Sequence, residues 1–512
     1  MHNSAVLLLD GISRKAPGRI AIEDRRNSLT YEQYNNSALS VGAYLISSQQ
    51  FWTRTVPIAV YLPKGYECLV SFMGILYSGN AYVPIDASMP LPRLGKLLEN
   101  LSPEYIITNE KNKAALISLG IDEEKTLLFE EIVKHPPDAG AALARVGKVI
   151  DTDPIYIMFT SGSTGVPKGV VITHRGVLDY AHWVVETFGV SSGSVFGNQA
   201  PFHFDNSILD IYSCLLTGAK FVLIPEQLFQ FPAKLPQFIE QHGIDTIFWV
   251  PTVMINVANS GAFDNGELVL PCLKRVLFCG EEMPNKALNT WRRRFPGPLY
   301  ANLYGPTEIT DVCTYYIVDR EYADSDPLPI GGPCRNMNVL VLNENNMAAA
   351  VNEIGELCIL GSGLALGYWN NPEATSKVFT QNPLNPHYEE KMYRTGDLVY
   401  VNDEGLIIFM GRMDSQIKHK GNRIEMGEIE TAAKSIDGVI NACALYDSDK
   451  QEIVLFAVCN DAELTDRRIN KELLKLVPLY MLPGRTVFLE DFPLNPNGKI
   501  DRPLLKVMMQ TE

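Results

Sequence analysis

Short, mostly apolar runs recur along the first two thirds of the chain, with helix-like stretches between them. Residues 56–62 (VPIAVYL), 81–85, 155–159, 220–224, 246–250, 275–278 and 299–303 have this β-rich character, and residues 39–48 and 66–78 carry apolar side chains at helical spacing. A strand covered on both faces has no solvent side to fill with polar residues, so such runs suit buried parallel strands. Their alternation with helices predicts α/β layers with substantially parallel sheets. Past residue 330 the pattern changes to β-rich segments at 338–342, 355–360, 398–401 and 406–410, separated by Gly, Asn and Asp, which predicts a smaller β-rich subdomain. Residues 411–425 are polar and basic; beyond them come a helix at 428–435, strands at 439–446 and 452–459, and a helix at 467–477. That is a compact α+β unit of ordinary domain size. The boundary falls at residues 412–414, dividing the chain into 1–413 and 414–512.

Charge and cysteine usage narrow the classes of function. Lys plus Arg number 44 against 59 Asp plus Glu, a net charge of −15, so nothing sequence-wide favours nucleic acid or an anionic membrane as a partner. The nine cysteines are dispersed with no CxxC pair, which argues against a zinc site and fits reduced thiols in cytosol. The apolar stretch at residues 5–9 is too short for a signal peptide and lacks a basic flank, and no run approaches a membrane span. A cytoplasmic location without membrane insertion is expected.

The strongest local signal is residues 156–169, YIMFTSGSTGVPKG. A strand enters a loop crowded with hydroxyls and glycines, then a lysine. Glycine lets backbone N–H groups approach an anion, hydroxyls donate to phosphate oxygens, and Lys168 adds positive charge. Thr160, Ser161, Gly162, Ser163, Thr164 and Lys168 therefore read as a phosphate-binding loop. It is not a Walker A loop, since Pro167 precedes the lysine and Gly169 follows it. A generic Gly/Ser loop is more often a plain turn; the length and order of this one favour phosphate.

Further motifs follow in order: Leu29-Thr30-Tyr31-Glu32, Asn302-Leu303-Tyr304-Gly305-Pro306-Thr307-Glu308, Gly355-Glu356-Leu357, Tyr393-Arg394-Thr395-Gly396-Asp397, Gly411-Arg412-Met413-Asp414 and Asn497-Gly498-Lys499-Ile500-Asp501. Together with the phosphate loop they resemble the adenylate-forming superfamily, which includes acyl-CoA synthetases, luciferases and the adenylation domains of nonribosomal peptide synthetases. The resemblance covers nearly the whole chain. It implies the acyl-adenylate synthetase fold, with a large layered α/β lobe, a β-rich subdomain and a small mobile C-terminal lid. It also implies ATP and Mg²⁺ as cofactors. Tyr304 would stack on adenine, Thr307 would bond the α-phosphate, Glu308 would hold Mg²⁺, which prefers oxygen ligands, and Asp397 would take the ribose diol. Gly280, Glu281, Asn302, Gly305 and Arg412 complete the expected nucleotide set. Lys499 would bridge carboxylate and phosphate in the first half-reaction, offsetting their repulsion. Asp414 would be the hinge of the lid, and Gly421 would let a pantetheine arm pass.

The acid is read from residues 201–207, PFHFDNS. A carboxylate after a buried-looking aromatic run needs a partner, and in amino-acid-activating relatives an Asp in this context binds the α-amine. The projected pocket is Asp205, Asn206, Leu209, Phe248, Leu277, Cys279, Leu303, Asp311, Val312 and Lys499. Its middle is apolar, so a small or medium apolar amino acid is expected. Residues 277–281 (LFCGE) resemble D-alanine–carrier protein ligases. The order Leu, Phe, Leu, small, Leu resembles stand-alone L-prolyl-AMP ligases of secondary metabolism, and the bulky wall tips the expectation to L-proline. Asp311 departs from both patterns. No carrier segment follows Lys499, so the acceptor is expected to be a separate carrier protein with a phosphopantetheine thiol and the enzyme a monomer. Two rivals are an acyl-CoA synthetase, against which Asp205 argues, and a non-catalytic nucleotide-holding relative, against which Lys168, Glu308, Asp397 and Lys499 together argue.

Overall fold

The computed structural model describes residues 2–25, 27–49, 55–162, 167–264, 268–413, 416–448, 450–461, 463–494 and 500–511. Its contacts divide into two compact units. The larger comprises Met1–Ala87, Ser102–Met158 and Gly169–Gly411; the smaller comprises Ser88–Leu101, Phe159–Lys168 and Arg412–Glu512.

The larger unit is built on three sheets. In a nine-stranded sheet, Leu299–Tyr304, Arg275–Phe278, Thr246–Trp249, Val195–Asn198, Lys220–Leu223 and Ile20–Asp24 lie side by side in parallel. Antiparallel strands close both edges: Asn27–Thr30 on one side, Thr314–Ile317 and Gly332–Pro333 on the other. The seven-stranded sheet runs in the order Gly367–Tyr368, Lys168–Thr173, Pro154–Thr160, Ala81–Pro84, Pro57–Tyr61, Tyr105–Thr108, Thr126–Leu128. Strands 246–249 and 275–278 are buried at every position, as expected for strands covered on both faces. The third sheet is antiparallel and β-rich, pairing Met337–Leu342, Gly355–Gly361, Lys391–Val401 and Phe379–Gln381, with Ile407–Arg412 joining Lys391–Val401.

Helices His174–Phe188 and Ser207–Thr217 contribute to the largest hydrophobic core, which also takes residues from strands of the first two sheets. The apolar residues 5–9 open an amphipathic helix, Val6–Lys15, which buries Val6, Leu8 and Leu9. The Leu29-Thr30-Tyr31-Glu32 motif has a structural explanation. Thr30 caps helix Tyr31–Ser48 in a capping box: its Oγ1 accepts from the Gln33 N–H at 3.2 Å, and the Gln33 Oε1 accepts from the Thr30 N–H at 2.9 Å. The buried Tyr31 hydroxyl donates to the Cys214 and Ala219 carbonyls at 2.8 and 2.6 Å, tying this helix to the end of Ser207–Thr217.

In the smaller unit, Val439–Asp447, Glu452–Cys459 and Arg485–Leu489 form a sheet. Helices Met426–Lys434 and Asp466–Leu473 bury Ile429, Ile469 and Leu473 in one core. The basic stretch at 411–425 contains a hairpin, Gln416–His419 paired with Asn422–Glu425.

Thr30→Ala removes one half of the capping box and should lower stability by about 1 kcal/mol, the usual cost of losing such a cap. Denaturant unfolding of the two proteins side by side checks this, and an unchanged midpoint would assign the motif another role.

Candidate active site

The parallel strands of the nine-stranded sheet deliver the candidate residues at their carboxyl ends. Asp205 lies between Val195–Asn198 and helix Ser207–Thr217. Gly280 and Glu281 follow Arg275–Phe278, and residues 305–312 follow Leu299–Tyr304. Ligands of open α/β sheets collect at this end, where the loops are free to carry polar groups.

The turn after Tyr304 is the most constrained part of the site. A Cβ on Gly305 would lie 2.1 Å from the Asp311 carbonyl oxygen and 2.8 Å from the Val312 Cα, so the chain returns directly over this glycine. The turn then passes through two successive left-handed residues, Thr310 at φ 61° and Asp311 at φ 72°. Left-handed conformations outside glycine cost free energy and persist where the surroundings hold them. Here the Thr310 hydroxyl donates to the Gly363 carbonyl at 2.8 Å. Thr307 and Glu308 lie in a short 3₁₀ turn between these two points.

Several expected nucleotide residues are held by hydrogen bonds within the larger unit. The Tyr304 hydroxyl donates to the Asp397 carboxylate, and the Asp397 N–H donates to the Thr395 hydroxyl at 3.0 Å. Glu308 has no accessible surface, and its Oε1 accepts from the Tyr368 hydroxyl at 2.7 Å. Asn302 donates to the Pro329 carbonyl at 2.8 Å. Glu281 accepts from the N–H and hydroxyl of Thr252 at 3.0 and 2.6 Å, fixing the start of helix Pro251–Asn259. Gly280 has a left-handed φ of 100°.

In the smaller unit, the Thr160 hydroxyl oxygen is buried without a hydrogen-bond partner among the described residues. The Ser161 hydroxyl donates to the Arg423 carbonyl at 2.9 Å. Lys168 begins strand Lys168–Thr173, and Arg412 ends Ile407–Arg412. Gly421 is the second residue of the two-residue turn joining the 416–425 hairpin, at φ 77° after Lys420 at φ 51°. Two positive φ values are what the tight primed hairpin turns demand. A conformational need therefore accompanies the expected steric one. The expected residues Ser163, Thr164, Asp414 and Lys499 lie outside the described residues.

Six of the expected substrate residues share one hydrophobic core of the larger unit. Leu209, Phe248, Leu277, Cys279, Leu303 and Val312 belong to the same buried cluster. Leu209, Phe248 and Leu277 are 0% exposed. Asp205 is buried and its Oδ1 accepts from the Asn206 N–H at 3.1 Å; the Asn206 Nδ2 is buried with no hydrogen-bond partner among the described residues. Asp311 is also buried, and its Oδ2 accepts from the Tyr180 hydroxyl at 2.6 Å. Burial, then the nearby charge of Asp205, pushes the Asp311 carboxyl well above the usual carboxylate range.

Three tyrosines were not singled out from the sequence. Tyr368 holds Glu308, Tyr180 holds Asp311, and Tyr156 is fully buried in the cluster, its hydroxyl without a partner among the described residues. A buried tyrosine hydroxyl asks for a polar partner, but separations of 60 and 131 residues hide the first two pairs from any local pattern. Tyr156 stands beside the phosphate loop and reads as a strand residue.

The motif order and this geometry define an enzyme built around a nucleotide. The sequence pattern of the AMP-binding enzymes matches residues 10–369. The chain belongs to that family, and it is an ATP-dependent, AMP-forming ligase. It is 33% identical to the D-alanine–D-alanyl carrier protein ligase of Bacillus cereus (strain Q1), over 97% of this chain and 98% of that one. Among solved structures it is similar to a nonribosomal peptide synthetase protein containing adenylation and carrier domains, bound to a vinylsulfonamide inhibitor. That match has a TM-score of 0.82 at 25% identity, covering 99% of this chain and 84% of the other. An artificially fused adenylation–carrier di-domain from Klebsiella oxytoca has the same fold, with a TM-score of 0.82 at 21% identity over 100% and 97% of the two chains.

Gly305→Ala forces a methyl group onto backbone that cannot move aside cheaply. It should reduce adenylate formation roughly 100-fold, the scale for a misplacement of about 1 Å at a reacting centre. Amino-acid-dependent ATP–pyrophosphate exchange, with circular dichroism to verify folding, provides the check. A folded variant with full activity would show that the turn does not position the site.

Proposed function

We propose that this chain is an amino acid–carrier protein ligase. A carboxylate oxygen of the amino acid attacks the α-phosphorus of ATP, the bond to the β-phosphate oxygen breaks, and pyrophosphate leaves. The thiol of a carrier protein's phosphopantetheine arm then attacks the acyl carbon, and AMP leaves. The observation that carries this reading is the Asp205 carboxylate buried at a pocket that also takes the apolar Leu209, Phe248 and Leu277, an arrangement that suits a substrate with an α-ammonium and a small apolar side chain. An acyl-CoA synthetase for plain acids has no use for that charge.

We place D-alanine ahead of the L-proline that the pocket sequence alone suggests. The Bacillus cereus relative named above and a 33% identical protein of Bacillus mycoides (strain KBAB4) are both D-alanine–D-alanyl carrier protein ligases, matched over 98% of their length. The apolar wall adds support, since Leu209, Phe248 and Leu277 expose no surface and a methyl asks for less room than a pyrrolidine ring. The proline and secondary-metabolism expectations therefore become the second reading.

In this mechanism Tyr304, Asp397, Asn302, Gly280, Glu281 and Arg412 bind the adenosine. Thr160, Ser161, Gly162, Ser163, Thr164, Lys168 and Thr307 bind phosphates, and Lys499 offsets the charge that builds between carboxylate and α-phosphate. Glu308 offers the carboxylate oxygen that suits Mg²⁺, which when bound neutralises phosphate charge. The lid, residues 414–512, turns about Asp414 between the half-reactions, and Gly421 lines the path of the pantetheine arm.

Pyrophosphate exchange across the proteinogenic amino acids plus D-alanine tests the substrate. A dominant D-alanine signal is expected, and a dominant L-proline signal would restore the second reading. Lys499→Ala should abolish adenylate formation yet leave transfer from preformed aminoacyl-AMP largely intact; equal loss of both would remove its assignment to the first half-reaction. Gly421→Asn preserves the left-handed turn while adding a side chain. It should leave exchange unchanged and slow carrier loading roughly tenfold, the cost of a blocked approach, whereas normal loading would route the arm elsewhere.

A further inference from the structure

Glu308 is held twice by one short segment of the chain. Its carbonyl accepts from the Ala365 N–H at 2.9 Å, and its Oε1 accepts from the Tyr368 hydroxyl at 2.7 Å. The Thr310 hydroxyl reaches the Gly363 carbonyl of the same segment at 2.8 Å. Among the described residues, segment 363–368 thus clamps turn 308–310 through these three hydrogen bonds, and that of Tyr368 lands on a side chain with a role in the proposed reaction. Both ends of that bond are buried, Glu308 at 0% and Tyr368 at 7% exposure.

Tyr368 is itself fixed on three sides. Its N–H donates to the Thr375 hydroxyl at 2.9 Å, within helix Pro372–Val378. Its backbone pairs with Val170 of strand Lys168–Thr173, where the chain goes on leaving the phosphate loop. The Leu366 N–H to the Val171 carbonyl at 2.9 Å and the Trp369 N–H to the Gly169 carbonyl at 2.7 Å hold that register. Its ring meets Phe379 edge-on, with centroids 5.9 Å apart. Packing that owes nothing to a ligand therefore delivers the hydroxyl to Glu308. A phenol is neutral, so the bond orients the carboxylate and leaves its charge in place. Orientation matters to Mg²⁺, which takes oxygen ligands in near-ideal octahedral geometry.

We propose that Tyr368 is a positioning residue that sets the Glu308 carboxylate for Mg²⁺, so that the gain in nucleotide binding brought by the cation depends on the Tyr368 hydroxyl. The inference rests on the reading of Glu308 as the Mg²⁺ carboxylate. Hydrogen-bond partners of a ligating group typically govern metal affinity by 10–100-fold although they never touch the metal. A tyrosine that only braced the fold would alter nucleotide binding alike with and without the cation.

The test is calorimetric titration of the full chain with α,β-methylene-ATP, once with Mg²⁺ and once with EDTA. The ratio of the two Kd values reads the cation's contribution without turnover. Tyr368→Phe keeps the ring against Phe379 and removes the hydroxyl. It should leave the Kd in EDTA unchanged and reduce the Mg²⁺ gain at least about tenfold. Thr375→Val frees the Tyr368 N–H and should reduce the gain in part. Glu308→Gln should erase it. A folded Tyr368→Phe protein with the original ratio overturns the proposal, as does one whose Kd weakens equally under both conditions. If Tyr368→Phe does not fold, an unchanged ratio in Thr375→Val is the overturning result. A full Mg²⁺ gain in Glu308→Gln would instead overturn the metal reading of Glu308 itself.

Discussion

Strands buried on both faces have no polar surface to offer, so the chemistry of this protein is pushed to where its strands stop. Six parallel neighbours fill the centre of the nine-stranded sheet. Strands 246–249 and 275–278 are buried at each residue, and the segments that follow such strands carry Asp205, Glu281, Gly305, Glu308 and Asp311. The same covering that stabilises the sheet also supplies the low-dielectric surroundings in which a carboxylate acts strongly on its neighbours. Burial first, then the charge of Asp205, raises the Asp311 carboxyl above the usual carboxylate range.

Rigidity at these strand ends comes from reuse of tyrosine. Tyr31 joins two helices through two carbonyls, Tyr304 meets Asp397, Tyr368 meets Glu308, and Tyr180 meets Asp311. Each ring packs in an apolar setting while its hydroxyl satisfies a polar group, which suits the boundary between core and site. Three of the four touch a carboxylate, so the acidic groups of the pocket are oriented before any ligand arrives.

Much of the fold could be read from the residues because period and composition are local. The strands at 57–61, 246–249 and 275–278 fall where short apolar runs place them, and the β-rich character after residue 330 matches the antiparallel sheet of 337–401. Strand Lys391–Val401 is longer than the apolar signal at 398–401, because the polar Arg394, Thr395 and Asp397 interrupt that signal. The hairpin at 416–425 was hidden by its charges, since its pairing depends on the positive φ of Lys420 and Gly421 more than on hydrophobic alternation. The burial of Asp205 was legible from the aromatic run before it. The partner of Asp311 was not, because Tyr180 arrives from a helix 131 residues earlier.

The left-handed backbone at Asp311 also bears on how such a pocket can diversify. A residue at φ 72° is tolerated as Gly, Asn or Asp, whereas a β-branched side chain there is a steric outlier. Evolution can therefore change the charge at this position by a single substitution, but cannot swap in a valine or isoleucine without first redrawing the turn. Positions 209, 248 and 277, on helix and strand, carry no such restriction. A lineage drifting toward a new side chain would find its freedom along those positions, with the turn acting as the slow variable of its history.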